Sequence, residues 1–528
     1  MKRALVIFLV VVSFFITSCE FKCKERINSC GLIYLTEKKK PNRDSNKPQI
    51  FLAFERFNLD MTEKFNKFEK QKEDESKITL SDGKEIELEI PTFLGNEKRS
   101  LNGIGPVPKK LNIAWKVQLG CGHTNAKGGT WCGSGWTGQT AVVLEDGYPY
   151  LIQSGYDWHL RKIDGETGEV IWKYQFDDVI KSSPSIIINR KAKTDEEKVL
   201  IVSGSRAGYR GSSGGGPNPS LRGISYLTGR EIWRFSMDRT DSYSRDCDSS
   251  ALMIDGLIYI ALENGYMVIL DPNDLEEKFK GFKSPRVVKS QILYYPEDRA
   301  KHGGNLVTEA SVARYKDSLF IASGSGHVWQ LDQKTLEPIW DFYIGSDLDG
   351  TTVVSDDGFV YVAVEKQYIA GHGGVFKLNP ETKSVEWFFP TGNRNFASWQ
   401  GGVIGSVSLH QEKKLAAFTA IDGNLYIVHT DILDTEKVPG PDGKTYYSKP
   451  RVFWSKNVGG AIATPIFVGD HLISAGYGGV YLFSLDDDPQ KIKQLDHKPG
   501  IGCESTPIVY KGKIFVGSRD GNFYCFKD

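Results

Sequence analysis

Four acidic residues lie at matching positions along this chain, each just before a small residue that begins a short apolar strand. They are Asp248, Glu309, Asp349 and Glu504, and Lys181 is the equivalent residue of an earlier segment. If the strands converge, these carboxylates line one opening and could hold Ca²⁺, a hard cation that takes about six to eight oxygen ligands. The alternative is that acids around a wide opening are solvated, and the sequence favours that alternative over a specific metal site.

Cysteine and histidine offer a second metal chemistry. Cys247 and Cys503 precede two of the acids, and together with Cys121 and His123 they raise the alternative of zinc. The chain has no C-x-x-C spacing, so the zinc signal is weak. Cys121 and Cys132 flank one loop and are the best disulfide candidate.

The elements that must position these residues are repeats. The clearest copy is Asp-Gly-Glu-Thr-Gly-Glu-Val-Ile-Trp at 164–172, and weaker copies lie at 226–233, 332–340 and 379–387. Self-similarity at a period of roughly 40–60 residues indicates a repeat architecture. Short apolar or alternating runs separated by Gly, Asn and Asp turns surround each copy, and they predict four-stranded antiparallel sheets. Such units arranged radially form a β-propeller.

We therefore predict an all-β fold, an eight-bladed β-propeller of four-stranded antiparallel blades, with blade three spanning about 247–282. The last blade lacks a fourth strand, and residues 111–120 form an orphan strand with a Trp in place. Pairing these two segments closes the ring. The recurring Trp is predicted to anchor each blade against its neighbour. The small residues that begin the eight inner strands are Thr140, Ser183, Ser250, Ser311, Thr351, Ser406, Thr464 and Thr506.

The repeat resembles the pyrroloquinoline-quinone-type (PQQ-like) propeller repeat, in which Thr-Gly and Trp recur in each blade, over about residues 111–528. The resemblance implies one of two kinds of protein. Quinoprotein alcohol dehydrogenases bind the quinone and calcium, whereas non-catalytic members include the lipoprotein of the Bam outer-membrane assembly complex. The dehydrogenases typically carry a disulfide between adjacent cysteines, and no two cysteines are adjacent in this chain.

The N-terminal residues have the pattern of an exported lipoprotein. A basic start precedes an apolar run, 4–16, that is too short to span a bilayer, and Ile-Thr-Ser-Cys resembles a lipobox ending at Cys19. An ordinary signal peptide with a chance cysteine is the alternative. The predicted organisation is a lipoprotein signal peptide over 1–18, a tether acylated at Cys19 over 19–45, a small appendage or linker over 46–110, and the propeller over 111–528.

The expected partners follow from charge and from the loops. The formal net charge is zero, which gives no support to nucleic-acid binding. We expect partners among envelope proteins or glycans, attachment to the lipid membrane through Cys19, and a place in the bacterial cell envelope, at the outer membrane. Loops on a rigid scaffold usually carry binding. The candidate residues on the looped face are His123, Trp131, Trp136, Tyr209, Tyr368 and His372.

Two function classes fit this pattern. The first is a lipid-anchored, non-catalytic binding or scaffold module, and the second is a quinone-dependent dehydrogenase-like enzyme. The enzyme would need a base, calcium ligands and a stacking Trp that converge on the quinone. That set cannot be assembled from the sequence. The sequence therefore favours binding without a cofactor, with PQQ and Ca²⁺ as the alternative.

Overall fold

The computed structural model describes residues 76–124, 129–136, 138–206, 220–278 and 281–528. The chain divides into two units, and all of these residues belong to the second, which begins at Asp74. Cys19, the predicted tether and Tyr209 lie outside the described residues. No helix among the described residues is long and apolar enough to cross a membrane.

Eight four-stranded antiparallel blades follow one another along the chain, and the sheets of blades one and eight also include strands from residues 76–110, which confirms the predicted propeller. The strands that precede blade one are β1 (Lys77–Thr79), β2 (Glu85–Ile90), β3 (Gly103–Ile104), β4 (Asn112–Gln118), β5 (Cys121–His123) and β6 (Thr130–Cys132). Blade one has β7 (Ala141–Glu145), β8 (Tyr148–Ser154), β9 (His159–Asp164) and β10 (Val170–Gln175). Blade two has β11 (Ser185–Ile188), β12 (Val199–Gly204), β13 (Leu221–Ser225) and β14 (Glu231–Phe235), with the short helix α1 (Asp195–Lys198) between its first two strands.

Blades three to five continue the pattern. Blade three has β15 (Leu252–Ile254), β16 (Leu257–Leu262), β17 (Tyr266–Lys278) and β18 (Phe282–Ile292), followed by helix α2 (Asp298–His302). Blade four has β19 (Ala313–Tyr315), β20 (Ser318–Ala322), β21 (His327–Asp332) and β22 (Pro338–Tyr343). Blade five has β23 (Val353–Val354), β24 (Val360–Val364), β25 (Gly374–Asn379) and β26 (Ser384–Pro390), followed by the hairpin β27 (Asn393–Phe396) and β28 (Trp399–Gly401).

The last three blades complete the ring. Blade six has β29 (Ser408–His410), β30 (Leu415–Thr419), β31 (Asn424–Pro439) and β32 (Tyr446–Asn457). Blade seven has β33 (Ile466–Val468), β34 (His471–Gly476), β35 (Gly479–Ser484) and β36 (Lys493–Lys498), with a 3₁₀ turn at Pro489–Lys491. Blade eight has β37 (Ile508–Tyr510), β38 (Lys513–Gly517) and β39 (Asn522–Lys527), and its fourth strand is β4.

The two ends of the propeller join in blade eight, as the sequence predicts. Strand β39 pairs antiparallel with β4, so that Cys525 lies opposite Trp115. Cys525 is fully buried among apolar side chains of this closing sheet. The closure pairs the backbone groups of β39 that would otherwise form an open edge.

Hydroxyl groups at the starts of the inner strands link neighbouring blades. The backbone N–H of Ser250 donates to the Oγ of Ser311 at 2.8 Å, and the N–H of Ser311 donates to the Oγ1 of Thr351 at 2.9 Å. The same bond joins Ser406 to Thr464 at 2.9 Å. The hydroxyl at this position therefore satisfies a buried N–H group of the preceding blade.

The recurring Trp residues anchor blade against blade, as predicted. The indole N–H of Trp172 in blade one donates to the carbonyl of Tyr226 in blade two at 3.2 Å. The N–H of Trp387 in blade five donates to the carbonyl of Thr430 in blade six at 3.1 Å. The glycine of the Thr-Gly turn is needed because a Cβ at Gly229 would lie 2.8 Å from the ring of Trp172.

The part of the predicted linker that the structure describes crosses the ring of inner strands. Strand β2 pairs with β7 of blade one, and β3 pairs with β37 of blade eight. Between them Arg99 is fully buried and donates to the backbone carbonyls of Ser250 in blade three and Val312 in blade four, both at 2.9 Å. Asn102 donates to the Oγ of Ser408 in blade six at 2.8 Å. This segment thus ties blades together from inside the ring.

Two blades carry long terminal hairpins. In blade three, β17 and β18 extend to Ile292, so the predicted end of this blade near residue 282 is wrong. The prediction failed because residues 271–278, which resemble a turn followed by a fourth strand, continue β17 instead, so that the fourth strand, β18, begins only at Phe282. In blade six, residues 434–450 form the end of β31, the turn after it and the beginning of β32.

Candidate functional site

Each blade presents two side-chain positions at the face where the chain enters the inner strand and leaves the second strand. We call them the leading position, two residues before the small residue, and the trailing position, which follows the second strand. In blade three the small residue is Ser250, Leu252 pairs with Tyr259, and the trailing Glu263 lies four residues after Tyr259. The same register holds in blades two, four and five.

These two positions divide the face into sectors of different chemistry. Blades two to five carry most of the charge, whereas blades six and seven are largely apolar. The pairs of leading and trailing residues are Gly138 and Gly155 in blade one, Lys181 and Arg206 in blade two, Asp248 and Glu263 in blade three, and Glu309 and Gly324 in blade four. They are Asp349 and Glu365 in blade five, Ile404 and Ile421 in blade six, Ile462 and Tyr477 in blade seven, and Glu504 and Arg519 in blade eight.

The first acidic cluster belongs to blades three and four. Carboxylate oxygens of Asp248, Glu263 and Glu309 lie within 4.8 Å of one another. The Nζ of Lys181, in the neighbouring blade two, forms an ion pair with Asp248 and lies 3.6 Å from Glu309. Burial raises the pKa of Asp248 and the contact with Lys181 opposes that rise. The carboxylates in turn raise the pKa of Lys181 well above its ordinary value, although its burial acts against them.

The second cation of blade two completes this cluster. The guanidinium of Arg206 lies 3.0 Å from a carboxylate oxygen of Asp246, the acid two residues before Asp248. It also lies over the ring of Trp131, 5.5 Å from the ring centroid. Asp246 and Asp248 of blade three are therefore each paired with a cation of blade two, and the guanidinium gains a cation–π contact.

The second acidic cluster belongs to blade five. Carboxylate oxygens of Asp347, Asp349 and Glu365 lie within 4.8 Å of one another, and none forms an ion pair with a basic residue that the structure describes. Asn305 donates to Asp347 at 2.5 Å. Burial raises the pKa of Asp347 to about 7 and that of Glu365 to about 8, and it raises the pKa of Asp349 well above its usual range.

A cavity of about 570 Å³ opens onto the second cluster. Its walls combine four acids, three aromatic rings, four polar residues and one lysine. They are Tyr243, Asn305, Glu309, Asp347, Asp349, Glu365, Lys366, Gln367, Tyr368, Ser398, Trp399 and Gln400. Trp399 comes from the β27–β28 hairpin, which follows blade five, so this hairpin forms one wall of the cavity. We call this space the blade-five cavity.

The four acids predicted to form one ring therefore separate into different surroundings. Asp248 and Glu309 share the first cluster, whereas Asp349 belongs to the second. Glu309 also lines the blade-five cavity and lies between the two. Glu504 is elsewhere, where it accepts a hydrogen bond from the hydroxyl of Tyr477 and lies 3.6 Å from Arg519.

The aromatic and histidine candidates also have different surroundings. Tyr368 lines the blade-five cavity and is 49% exposed. Trp136 is buried against Ile404 and other apolar residues of blades six and seven, where it serves packing. His123 is hydrogen-bonded to the hydroxyl of Thr130 at 2.9 Å.

His372 and the cysteine pair lie in well-defined local structures. The Nδ1–H of His372 donates to the carbonyl of Thr391 at 2.9 Å. Cys121 and Cys132 lie opposite each other in the β5–β6 hairpin and are joined by a disulfide, which is the pairing that the sequence favoured. The two free cysteines of the zinc alternative, Cys247 and Cys503, are buried, and neither belongs to a cluster of possible metal ligands among the described residues.

Comparison with known proteins places the propeller in a family. Residues 112–387, more than half of the chain, match the family model described as outer membrane protein assembly factor BamB. The chain belongs to this family. No curated protein sequence matches it.

Solved structures share the fold at low sequence identity. BamB from Moraxella catarrhalis is 13% identical with a TM-score of 0.50, over 79% of this chain and 100% of that chain. Quinohemoprotein alcohol dehydrogenase from Comamonas testosteroni is 14% identical with a TM-score of 0.54, over 83% of this chain and 80% of that one. A europium-containing methanol dehydrogenase is 10% identical with a TM-score of 0.54, over 84% of this chain and 98% of that one. At these identities the likeness concerns the fold alone.

In this BamB family member, the sequence alone did not identify the trailing acids or the acids that precede the leading ones. Glu263 and Glu365 follow the second strands of blades three and five. Asp347 precedes Asp349 by two residues, as Asp246 precedes Asp248. The signal was available as a repeated Asp-x-Asp motif and a Glu after an apolar strand. Recognising that these acids lie near the leading residues requires the strand register, because the register determines which residue of the second strand lies opposite the inner strand.

Proposed function

We propose that this chain is a lipid-anchored propeller of a bacterial cell envelope that acts as a non-catalytic binding module in the assembly of outer-membrane proteins. The observation that carries the proposal is the family match, which covers the greater part of the propeller. The lipobox-like segment that ends at Cys19 supports the anchor and the envelope location. Acylation at that cysteine with more than one chain would give stable membrane attachment.

The looped face suits binding by a rigid scaffold. The blades are tied by interblade hydrogen bonds and by Arg99 inside the ring, so loops on this face are held by a stiff framework. Blades two and three form a neutralised polar sector, whereas blade five offers a cavity. A partner can therefore be recognised by the chemistry of individual sectors.

A second candidate is a quinone-dependent dehydrogenase-like enzyme, and the second acidic cluster is the reason to consider it. Its three carboxylates and the side-chain oxygen of Asn305 are ligands of the type that Ca²⁺ prefers. The quinone fits less well, because PQQ carries carboxylates of its own. It would meet four acids and one lysine, Lys366, that already donates to backbone carbonyls. We therefore favour the binding module.

The proposal is tested in a bacterium that produces this chain. Deleting it is expected to lower the amount of folded outer-membrane β-barrel protein, measured as heat-modifiable mobility on gels. The wild-type chain should restore that amount. The Cys19→Ala variant should leave the membrane fraction and fail to restore it, while Cys23→Ala, a matched change four residues away, should restore it. Unchanged β-barrel levels after deletion would contradict the assembly role.

Titration with PQQ and Ca²⁺ separates the two candidates. Ligand binding to the folded state raises the melting temperature. We expect no quinone absorbance to remain with the protein and no rise in melting temperature that depends on PQQ. A quinone spectrum that co-purifies with the chain, together with such a rise, would favour the enzyme.

A further inference from the structure

The blade-five cavity contains buried acceptors that the described residues do not satisfy. Asn305 is 4% exposed and Asp347 is 7% exposed, yet the Oδ1 atom of each accepts no hydrogen bond. A buried acceptor without a donor destabilises the folded state, because it has lost its hydrogen bonds to water. Asn305 is not itself an acid, so its free oxygen is an observation independent of the acidic cluster. Both atoms suit a ligand that donates hydrogen bonds.

The charge of the cavity points to a cation. Glu309, Asp347, Asp349 and Glu365 line it, and Lys366 is the one basic residue among the described residues of its wall. The Nζ of Lys366 donates to the carbonyl of Ile369 at 3.2 Å and to that of Gly371 at 2.6 Å, and it forms no ion pair with an acid of the described residues. The wall thus leaves the carboxylates of Asp347, Asp349 and Glu365 without an ion pair to any basic residue that the structure describes.

Size and aromatic walls favour an organic cation over a bare metal ion. The cavity measures about 570 Å³, whereas a water molecule occupies about 30 Å³ in the liquid. Tyr243 is 71% exposed and Tyr368 is 49% exposed, and both line the cavity with the half-buried Trp399. Aromatic faces attract ammonium and guanidinium groups through the ring quadrupole, but they are not ligands of hard metal ions.

Blade three shows what fills an equivalent site in this same chain. There Asp246 is paired with the guanidinium of Arg206, which lies against the ring of Trp131. Asp347 is the counterpart of Asp246, and Gly324 is the counterpart of Arg206. A Cβ on Gly324 would lie only 2.7 Å from the Oδ1 of Asp347. The blade-five cluster therefore has the acid and the aromatic wall but lacks the guanidinium.

We propose that the blade-five cavity binds an organic cation, an alkyl guanidinium or ammonium group supplied from outside the chain. The group belongs either to a free amine or to an Arg or Lys side chain of a partner protein. The side-chain source rests on the proposed scaffold function, whereas the free-amine source does not. In both cases the carboxylates of Asp347, Asp349 and Glu365 receive the charged hydrogen bonds that the chain itself does not provide.

The test is calorimetric titration of the full chain, purified in detergent, with agmatine, which carries both a guanidinium and an ammonium group. At pH 8.5 we expect saturable one-site binding. Asp347→Asn and Glu365→Gln should each weaken it by about tenfold or more, because each removes one buried charge partner. Glu381→Gln removes an exposed acid from the turn between β25 and β26 and should leave binding unchanged.

Three results would overturn the proposal. The first is no binding of agmatine to the wild-type chain, and the second is equal binding by all four proteins. The third is binding of Ca²⁺ that agmatine does not displace, which would assign the cavity to a metal ion. The variants remove like charges from a crowded cluster and are expected to fold, and their melting temperatures check this directly.

A second titration distinguishes the two sources of the cation. Its probes are a capped pentapeptide of four glycines with a central arginine and the same peptide with glycine at the centre. Tighter binding of the arginine peptide than of agmatine indicates a side chain presented by a protein. Binding of agmatine alone indicates a free amine. Because this assay uses purified components, its outcome is independent of the β-barrel assay that tests the assembly role.

Discussion

Blades three and five present the same acids to the same face, yet their surroundings are opposite. Each has an Asp-x-Asp motif before the inner strand and a Glu after the second strand. Blade two, beside blade three, supplies Lys181 and Arg206. Blade four, beside blade five, has Glu309 and Gly324 at those two positions. The property of a propeller sector is thus set by the blade that precedes it, because leading and trailing residues meet across the blade boundary.

The largest expected effect comes from making the first cluster resemble the second. Lys181→Met removes the cation that pairs with Asp248 and lies 3.6 Å from Glu309. Breaking a buried ion pair from one side costs about 3–5 kcal/mol of the free energy of unfolding. Urea denaturation at pH 7 measures this loss. Lys491→Met, which removes an exposed partner of Asp488, should change it by less than about 1 kcal/mol. Equal effects of the two changes would refute the comparison.

The pH dependence of stability should reveal the second cluster. The pKa of Asp347 is raised to about 7 and that of Glu365 to about 8, so the folded chain keeps protons that the unfolded chain loses near pH 4. The free energy of unfolding should therefore be greatest at low pH in this range and should fall as the pH rises toward 7 and 8, by up to about 1.4 kcal/mol per pH unit for each proton that only the folded chain retains. The groups that face these carboxyls are Tyr243, Glu309, Asp349, Lys366 and Tyr368.

Denaturation curves at intervals of one pH unit measure this slope. Glu365→Gln should flatten it, because the glutamine carries no proton to release. The exposed change Glu381→Gln should leave the slope of the wild type. A free energy of unfolding that rises between pH 6 and 9 would show that the acids of blade five are ionised without cost.

Removing one acid from each cluster should have effects of opposite sign. At pH 8.5, Glu365→Gln relieves repulsion with Asp347 and Asp349, and we expect a gain of about 1–3 kcal/mol in the free energy of unfolding. Asp248→Asn leaves Lys181 with a weaker partner and should lower it. Among the described residues, the first cluster contains a cation, Lys181, and the second does not. A change of the same sign in the free energy of unfolding for both variants would therefore contradict this difference between the clusters.

The sequence predicts the ring and half of the charged face, for identifiable reasons. Turn glycines, inner-strand hydroxyls and the recurring Trp are local patterns, so the blades and the β39–β4 closure could be found. The leading acids follow the same small residue in each blade and could also be found. The trailing acids can be recognised only when the strand register is known. Asn305 lies in the loop before the inner strand of blade four, further from the small residue than the leading position is. Such contacts across blade boundaries are long-range, and no local pattern marks them.

Arg99 illustrates the other limit. The charged segment around it has the composition of a linker, yet the guanidinium is fully buried and bonded to blades three and four. Composition predicts exposure for such a residue. Burial became possible because backbone carbonyls of inner strands were available to accept its hydrogen bonds, and that geometry exists only once the ring has closed.

A lysine at the leading position of blade four, as in blade two, is expected to change the free energy of unfolding least and agmatine binding most. Glu309→Lys places a cation at the leading position beside Asp347 and Asp349, while it removes the 3.6 Å contact with Lys181. These two effects oppose each other, so the free energy of unfolding should change by about 1 kcal/mol or less.

The new ammonium should occupy the blade-five cavity and weaken agmatine binding by more than about tenfold. Glu309→Gln, which removes the acid without adding a cation, should weaken binding less than Glu309→Lys does. If both variants bind agmatine as the wild type does, then the acids of this sector do not form its site, and the likeness between blades three and five has no consequence for binding.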